Sequence, residues 1–169
     1  MKRSALLMVS MLFAGPVFAA QSGFDSSKLY FGAGLSQNDV SGSSNGTGYQ
    51  FFGGYGLGPV AKNINLDLEL GYMDTGNMDV DVSVSAFGTT ISASGSARAK
   101  GLWSTVVGRF ALNPQFDLLG RVGFDFGDDD GLMFGVGGGY NYDKRTQLRL
   151  EYVERDNVNS LQFNLVYRP

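Results

Sequence analysis

The chain has neither cysteine nor histidine. Without thiols there is no disulfide framework and no thiolate nucleophile. Without imidazole the usual general base and the usual zinc ligand are missing. Cations are outnumbered, 13 Lys and Arg against 16 Asp and Glu. That acidic balance excludes the counterion-displacing surface that nucleic-acid binding requires. Proline is scarce, at 4 residues, and beyond the first segment no apolar run is long. A spanning helix takes about 20 such residues, so insertion into a membrane would have to use strands. Glycine (25 residues) and aromatic residues (13%) are abundant instead. The pair suits long strands that pass close to one another.

The first segment reads as an address. Lys2-Arg3 form a charged start, Ala5 to Ala14 an apolar stretch, and Gly15-Pro16 a break before Val17-Phe18-Ala19. Small or β-branched residues fit the −3 and −1 pockets of signal peptidase, which places cleavage after Ala19. Residues 1–19 are then a signal peptide, and residues 20–169 a single domain. A membrane anchor is the competing reading, but the apolar stretch is too short for one.

The remainder alternates with period two, the mark of strands with two unlike faces. Eight such segments follow one another: Lys28–Gln37, Thr47–Leu57, Asn63–Met73, Gly101–Leu112, Gln115–Phe126, Leu132–Tyr142, Gln147–Glu154 and Ser160–Arg168. In the third, Ile64, Leu66, Leu68, Leu70 and Tyr72 alternate with Asn65, Asp67, Glu69 and Gly71. The charged set is sparse, mixed in sign and interleaved with glycine, while the other set is large and apolar. This division predicts a polar interior and a lipid-facing exterior. Short links (Gly58–Lys62, Asn113-Pro114, Asp143–Thr146) alternate with mostly longer ones (Asn38–Gly46, Asp74–Lys100, Gly127–Gly131), as periplasmic turns and outer loops do. The fourth outer link, near Asp156-Asn157, is tight. Rings fall into two bands: Tyr55, Phe110, Phe116, Tyr140, Tyr142 and Tyr167 at the turn end, and Tyr49, Tyr72, Phe126, Phe134 and Tyr152 at the loop end. Such girdles suit the two membrane interfaces. A sandwich core would also use aromatics. The reading adopted is an all-β, eight-stranded antiparallel up-and-down barrel in the outer membrane.

Specific stretches carry a resemblance. Leu29-Tyr30-Phe31-Gly32-Ala33-Gly34-Leu35, Leu68-Glu69-Leu70-Gly71-Tyr72, Val107-Gly108-Arg109-Phe110, Arg121-Val122-Gly123 and Leu148-Arg149-Leu150-Glu151-Tyr152 occur in that order. In this the chain resembles the small outer-membrane barrel family that includes OmpX and the transmembrane domain of OmpA. The resemblance implies a monomeric barrel of the Gram-negative envelope, set among lipid and lipopolysaccharide, with roles in envelope integrity or adhesion to a host or surface ligand. It also implies delivery to barrel-assembly machinery that reads a final alternating strand, here Phe163, Leu165 and Tyr167. Two departures stand out. No periplasmic peptidoglycan-binding domain is expected after the last strand, and Pro169 sits where the family usually has an aromatic residue.

Barrel enzymes that resemble lipid A deacylases, phospholipases or omptins place a histidine beside Ser or Asp. This chain has none, and no serine lies in a recognisable nucleophile setting, so neither enzyme activity nor a cofactor is expected. Asp67, Glu69, Arg109, Arg121, Arg149 and Glu151 share the inward phase. Opposed charges at those positions should neutralise one another and plug a lumen too narrow for an aqueous channel. A narrow conduit for ions or small apolar molecules is the alternative. Asp128-Asp129-Asp130 lacks metal-binding spacing and is expected to be a solvated acidic loop. Asn38–Gly46 is expected to be a mobile loop. Val80, Val82, Val84, Ile91 and Ala93 predict a protruding hairpin around Phe87–Thr90, with an irregular loop as the other reading. Val84 and Ile91 differ in phase, which calls for a bulge.

Overall fold

Strands form where β-branched and aromatic residues alternate with residues that can face a second environment. The computed structural model describes residues 25–39, 45–86 and 89–169. The expected leader, most of the first outer loop and the hairpin tip at Phe87-Gly88 lie outside the described residues. After a 3-10 turn at Ser26–Lys28 come ten strands: β1 (Leu29–Asp39), β2 (Gly46–Ala61), β3 (Ile64–Asp74), β4 (Met78–Ala86), β5 (Thr89–Ala97), β6 (Lys100–Ala111), β7 (Phe116–Asp125), β8 (Gly131–Asn141), β9 (Thr146–Glu154) and β10 (Asn159–Tyr167). Eight of them close a barrel in the order β1-β10-β9-β8-β7-β6-β3-β2, and β1 pairs with β2 to complete the ring. Every pairing is antiparallel between neighbours. The strands β4 and β5 form a separate two-stranded ribbon between β3 and β6.

The two faces are chemically opposite. Val136, on the outside of β8, is 66% exposed, whereas Val107, Val153 and Val166 are 0% exposed inside. The same residue type serves both faces, so phase decides its surroundings. Outside lie Phe31, Leu35, Leu70, Val122 and Phe163; inside lie Gln50, Glu69, Arg149 and Gln162. A soluble barrel would show the reverse distribution.

The links depart from expectation at one turn and agree at two. Gly58 to Ala61 belongs to β2 and not to a turn. Register shifts fall between Gly56 and Gly58 and between Pro59 and Ala61, where Gly58 has φ +104 and proline lacks an N–H. The turn narrows to Lys62 and Asn63, with Asn63 at φ +63. At the other two, side chains do the capping. Asn113 Oδ1 accepts from the amides of Gln115 (2.8 Å) and Phe116 (2.9 Å), and Asp143 Oδ1 from those of Arg145 (2.7 Å) and Thr146 (2.8 Å).

The hairpin is present and needs no bulge. Its register runs unbroken from Met78 opposite Ala97 to Ala86 opposite Thr89, and Val84 stands directly opposite Ile91. Residues directly paired share a face whatever their parity, so the expected conflict of phase does not arise. Nor does the hairpin simply prolong its neighbours, because residues 75–77 and 98–99 interrupt the strands.

Candidate functional site

The inward phase gathers four of the six predicted charges into one layer across the middle of the lumen. Arg149 Nη1 meets Glu69 Oε1 at 2.6 Å, and Arg121 Nη2 meets Glu151 Oε2 at 2.5 Å. A longer contact of 3.4 Å joins Arg121 to Glu69 Oε2. All four side chains are buried. Neutral groups occupy further valences: Tyr30 OH donates to Glu69 at 2.7 Å, and Asn164 Nδ2 to Glu151 at 3.2 Å. Buried charge is tolerable only when so paired and hydrogen-bonded. Arg109 pairs with Asp67 through Nε at 2.5 Å, nearer the turn end, and is partly exposed.

Above this layer, toward the outer loops, lies an apolar septum. Trp103 is fully buried with its ring 5.6 Å from that of Phe52, and Met73, Met133 and Val153 join them, while Tyr30 and Val166 extend the same apolar cluster toward the turn end. Glycine makes the space. A Cβ on Gly71 would come within 2.5 Å of Trp103 Cζ2, and one on Gly32 would overlap the Phe52 ring. The Arg121 guanidinium carbon stands 5.6 Å from the Trp103 ring, which couples septum to charge layer.

A third set, which sequence reasoning missed, closes the outer end. Arg155 Nε meets Asp125 Oδ2 at 3.1 Å, and its Nη1 donates to Ser160 Oγ at 2.9 Å. Ser160 donates to Asn38 Oδ1 at 2.6 Å, and Asn38 Nδ2 to the Thr75 carbonyl at 2.9 Å. The phase of Arg149 and Glu151, carried four residues past Glu151, was the available signal for Arg155. The acidic loop also differs from expectation. Asp129 is buried and accepts from Asn157 N (3.0 Å), Asn157 Nδ2 (2.7 Å) and Val158 N (3.1 Å). It is a clasp between the third and fourth outer loops and not a solvated residue. Its amide partners explain why: three donors converge where a carboxylate can take them all. Among the described residues no group of three or more His, Cys, Asp or Glu could hold a metal ion.

The ring residues of both predicted bands project outward. Phe116 and Tyr140 lie 5.2 Å apart at the turn end, and Tyr72 stacks on Phe51 at 5.4 Å toward the loop end. On β10, Phe163, Leu165 and Tyr167 face outward, paired to Leu35, Ala33 and Phe31 of β1.

A closed barrel with an apolar exterior and a salt-bridged interior defines a transmembrane β-barrel. Residues 4–168 match the model of the outer membrane protein beta-barrel domain, and the chain belongs to that family. Two solved structures show the same fold. A de novo designed transmembrane β-barrel is similar with TM-score 0.57 at 14% identity, over 85% of this chain and 97% of that one. The outer membrane protein Ail of Yersinia pestis, in a phospholipid bilayer nanodisc, is similar with TM-score 0.55 at 16% identity, over 83% and 98%. No protein of curated function matches the chain. The family agrees with the resemblance drawn from the strand motifs.

Proposed function

We propose that this is a sealed, non-enzymatic outer-membrane barrel that serves envelope structure or surface adhesion through its outer loops. One observation carries the reading: the lumen is filled at two successive levels, by the Glu69–Arg149–Arg121–Glu151 layer and by the septum around Trp103. An eight-stranded barrel has room for such packing and for little else. The working surface is then the loops and the ribbon. In this reading the two ring bands sit at the membrane interfaces, residues 1–19 direct export, and the monomer lies among lipid and lipopolysaccharide.

Planar-bilayer conductance tests the sealed lumen. The protein should add no discrete current steps, while Trp103→Ala combined with Phe52→Ala should leak. Steady channels from the unmodified protein would favour the narrow conduit instead. Assembly is a separate part of the proposal. Tyr167 supplies the last outward ring of β10, and Pro169 has no N–H to strengthen pairing. Tyr167→Ala should therefore lower outer-membrane yield, whereas removing Pro169 should not; the opposite pattern would move the assembly signal to the terminal residue.

A further inference from the structure

Five arginines enter the lumen, and four have a carboxylate partner: Arg109 with Asp67, Arg121 with Glu151, Arg149 with Glu69 and Arg155 with Asp125. The fifth, Arg168, has none among the described residues. It follows the last residue of β10 and shares the inward phase of buried Asn164 and Val166. Its guanidinium carbon stands 4.9 Å from the ring of buried Tyr30, and its Nη2 is shut off from solvent without a hydrogen-bond partner. Arg149 lies against the same ring, at 5.6 Å, and is 0% exposed. Its Nη1 holds Glu69, but its Nη2 is also buried and unpartnered. A guanidinium stays charged at neutral pH, so each buried N–H left unspent on it is costly.

The carboxylates at this end are already engaged. Both Asp67 oxygens accept from Arg109, and Asp117 accepts from Gln147 at 2.7 Å and from Asn141 at 3.3 Å. The exposed rim carries Lys28, Lys62, Lys144 and Arg145 against Asp25 and Asp143. Asp25 is held by Ser27, and Asp143 by the amides of its own turn. Arg145 stands beside the mouth, since its carbonyl accepts from the Arg168 amide at 2.7 Å. An anion approaching this end is therefore attracted, and the acceptor it brings is one the protein's own side chains do not supply. Tyr167, an exposed ring of the turn-end band, puts its neighbour Arg168 at the level where lipid phosphates lie.

We propose that the turn-end mouth of the barrel binds a phosphate group, with Arg168 and Arg149 as its buried donors and Lys28 and Arg145 on the rim that draws it in. The planar fork of a guanidinium matches two phosphate oxygens at once, which a lysine cannot do. The phosphate comes either from a phospholipid headgroup folded over the rim or from a free phosphate ion. The site lies opposite the outer loops and does not depend on what they bind.

The test uses the full-length protein in phosphate-free maltoside micelles, with inorganic phosphate as the probe at constant ionic strength. The side-chain Nε–Hε resonances of Arg168 and Arg149 should move together, with one apparent Kd of about 1 mM. Arg168→Gln should weaken binding about tenfold. Lys28→Gln with Arg145→Gln leaves both buried donors in place and should weaken it about threefold; this variant decides the matter if Arg168→Gln fails to assemble. Nanodiscs of phosphatidylglycerol then separate the two sources. Resonances already at the phosphate-bound position assign the site to headgroups, and resonances that still answer to free phosphate assign it to the ion. Movement of Arg168 without Arg149, or equal movement with acetate, overturns the proposal. So does the absence of movement in micelles and nanodiscs alike, or binding that the substitutions leave unchanged.

Discussion

The barrel and the ribbon are written in the same two-residue period, yet the barrel closes and the ribbon stops at two strands. The difference lies in what occupies the polar phase. Inside the barrel that phase holds long groups, such as Arg149, Glu69, Gln162 and Trp103, which reach strands far around the ring. In the ribbon the corresponding sequence positions are aspartate and serine, residue types too short to span an interior. Alternation thus makes a strand, but reach across the lumen makes a core. The first way to break this comparison is detergent. The barrel should stay closed in cold SDS and migrate differently after boiling, because no edge is open for SDS to enter. Surface protease should meanwhile cut the ribbon and leave the barrel resistant. A ribbon as protected as the wall, or a barrel that opens unheated, would erase the distinction.

The next largest effect is expected at the charge layer. Glu69→Ala leaves Arg149 and part of Arg121 without a counter-charge in a buried site. Removing one partner of such a pair costs about 3–5 kcal/mol. Arg109→Ala should cost less, about 2 kcal/mol, since the Arg109 side chain retains 20% exposure and water can partly replace it beside Asp67. Urea unfolding in detergent micelles measures both, with exposed Asp130→Ala as the reference. If Glu69→Ala matches that reference, the layer contributes packing and no electrostatic cohesion. Neither substitution should alter cleavage of the ribbon.

Most of the wall was legible from sequence because alternation in a lipid-facing barrel has only one workable phase. The six charges at Asp67, Glu69, Arg109, Arg121, Arg149 and Glu151 stood out for the same reason: a large polar group in an otherwise glycine-rich phase must point inward. Partner choice was not legible. Arg149 and Glu69 are 80 residues apart on strands that are not neighbours, and only closure brings them together. The outer clasp was hidden because Asp129 looks like its solvated neighbours, and backbone donors carry no sequence signature. Parity along the sequence does not give the hairpin register, because Val84 and Ile91 are directly paired and direct pairing is what fixes a shared face.

That clasp sharpens the comparison at the outer end, where barrel and loops meet. Asp129→Ala removes a buried carboxylate that holds the Asn157 and Val158 amides, while Asp130→Ala removes an exposed one. Hydrogen bonds to a charged acceptor are worth about 1.5–3 kcal/mol, and the loss here should be local and nearer the lower figure. Amide exchange at Asn157 and Val158 should accelerate in the first variant and stay unchanged in the second. Equal rates in both would mean that the fourth loop is held by its own Arg155-to-Val158 turn alone.

The smallest effect should come from the opposite end, where a carboxylate caps a turn in full contact with solvent. Asp143 accepts hydrogen bonds from the amides of Arg145 and Thr146, in that order of influence, and they hold its carboxyl below the ordinary value of 3.8. Because the folded value is depressed, the cap's contribution is present above the unfolded value and fades as pH falls through the folded one. The Arg145 and Thr146 amide resonances should therefore titrate together with a midpoint below that of an ordinary aspartate. Asp143→Asn keeps an acceptor of the same shape and should abolish the titration while leaving the turn in place. The barrel's unfolding midpoint at neutral pH should not move, since β8 and β9 stay paired along their length whatever this side chain does. A midpoint that falls in step with the amide titration would make the turn part of the barrel's cooperative unit, and the contrast would then lie between ribbon and everything else.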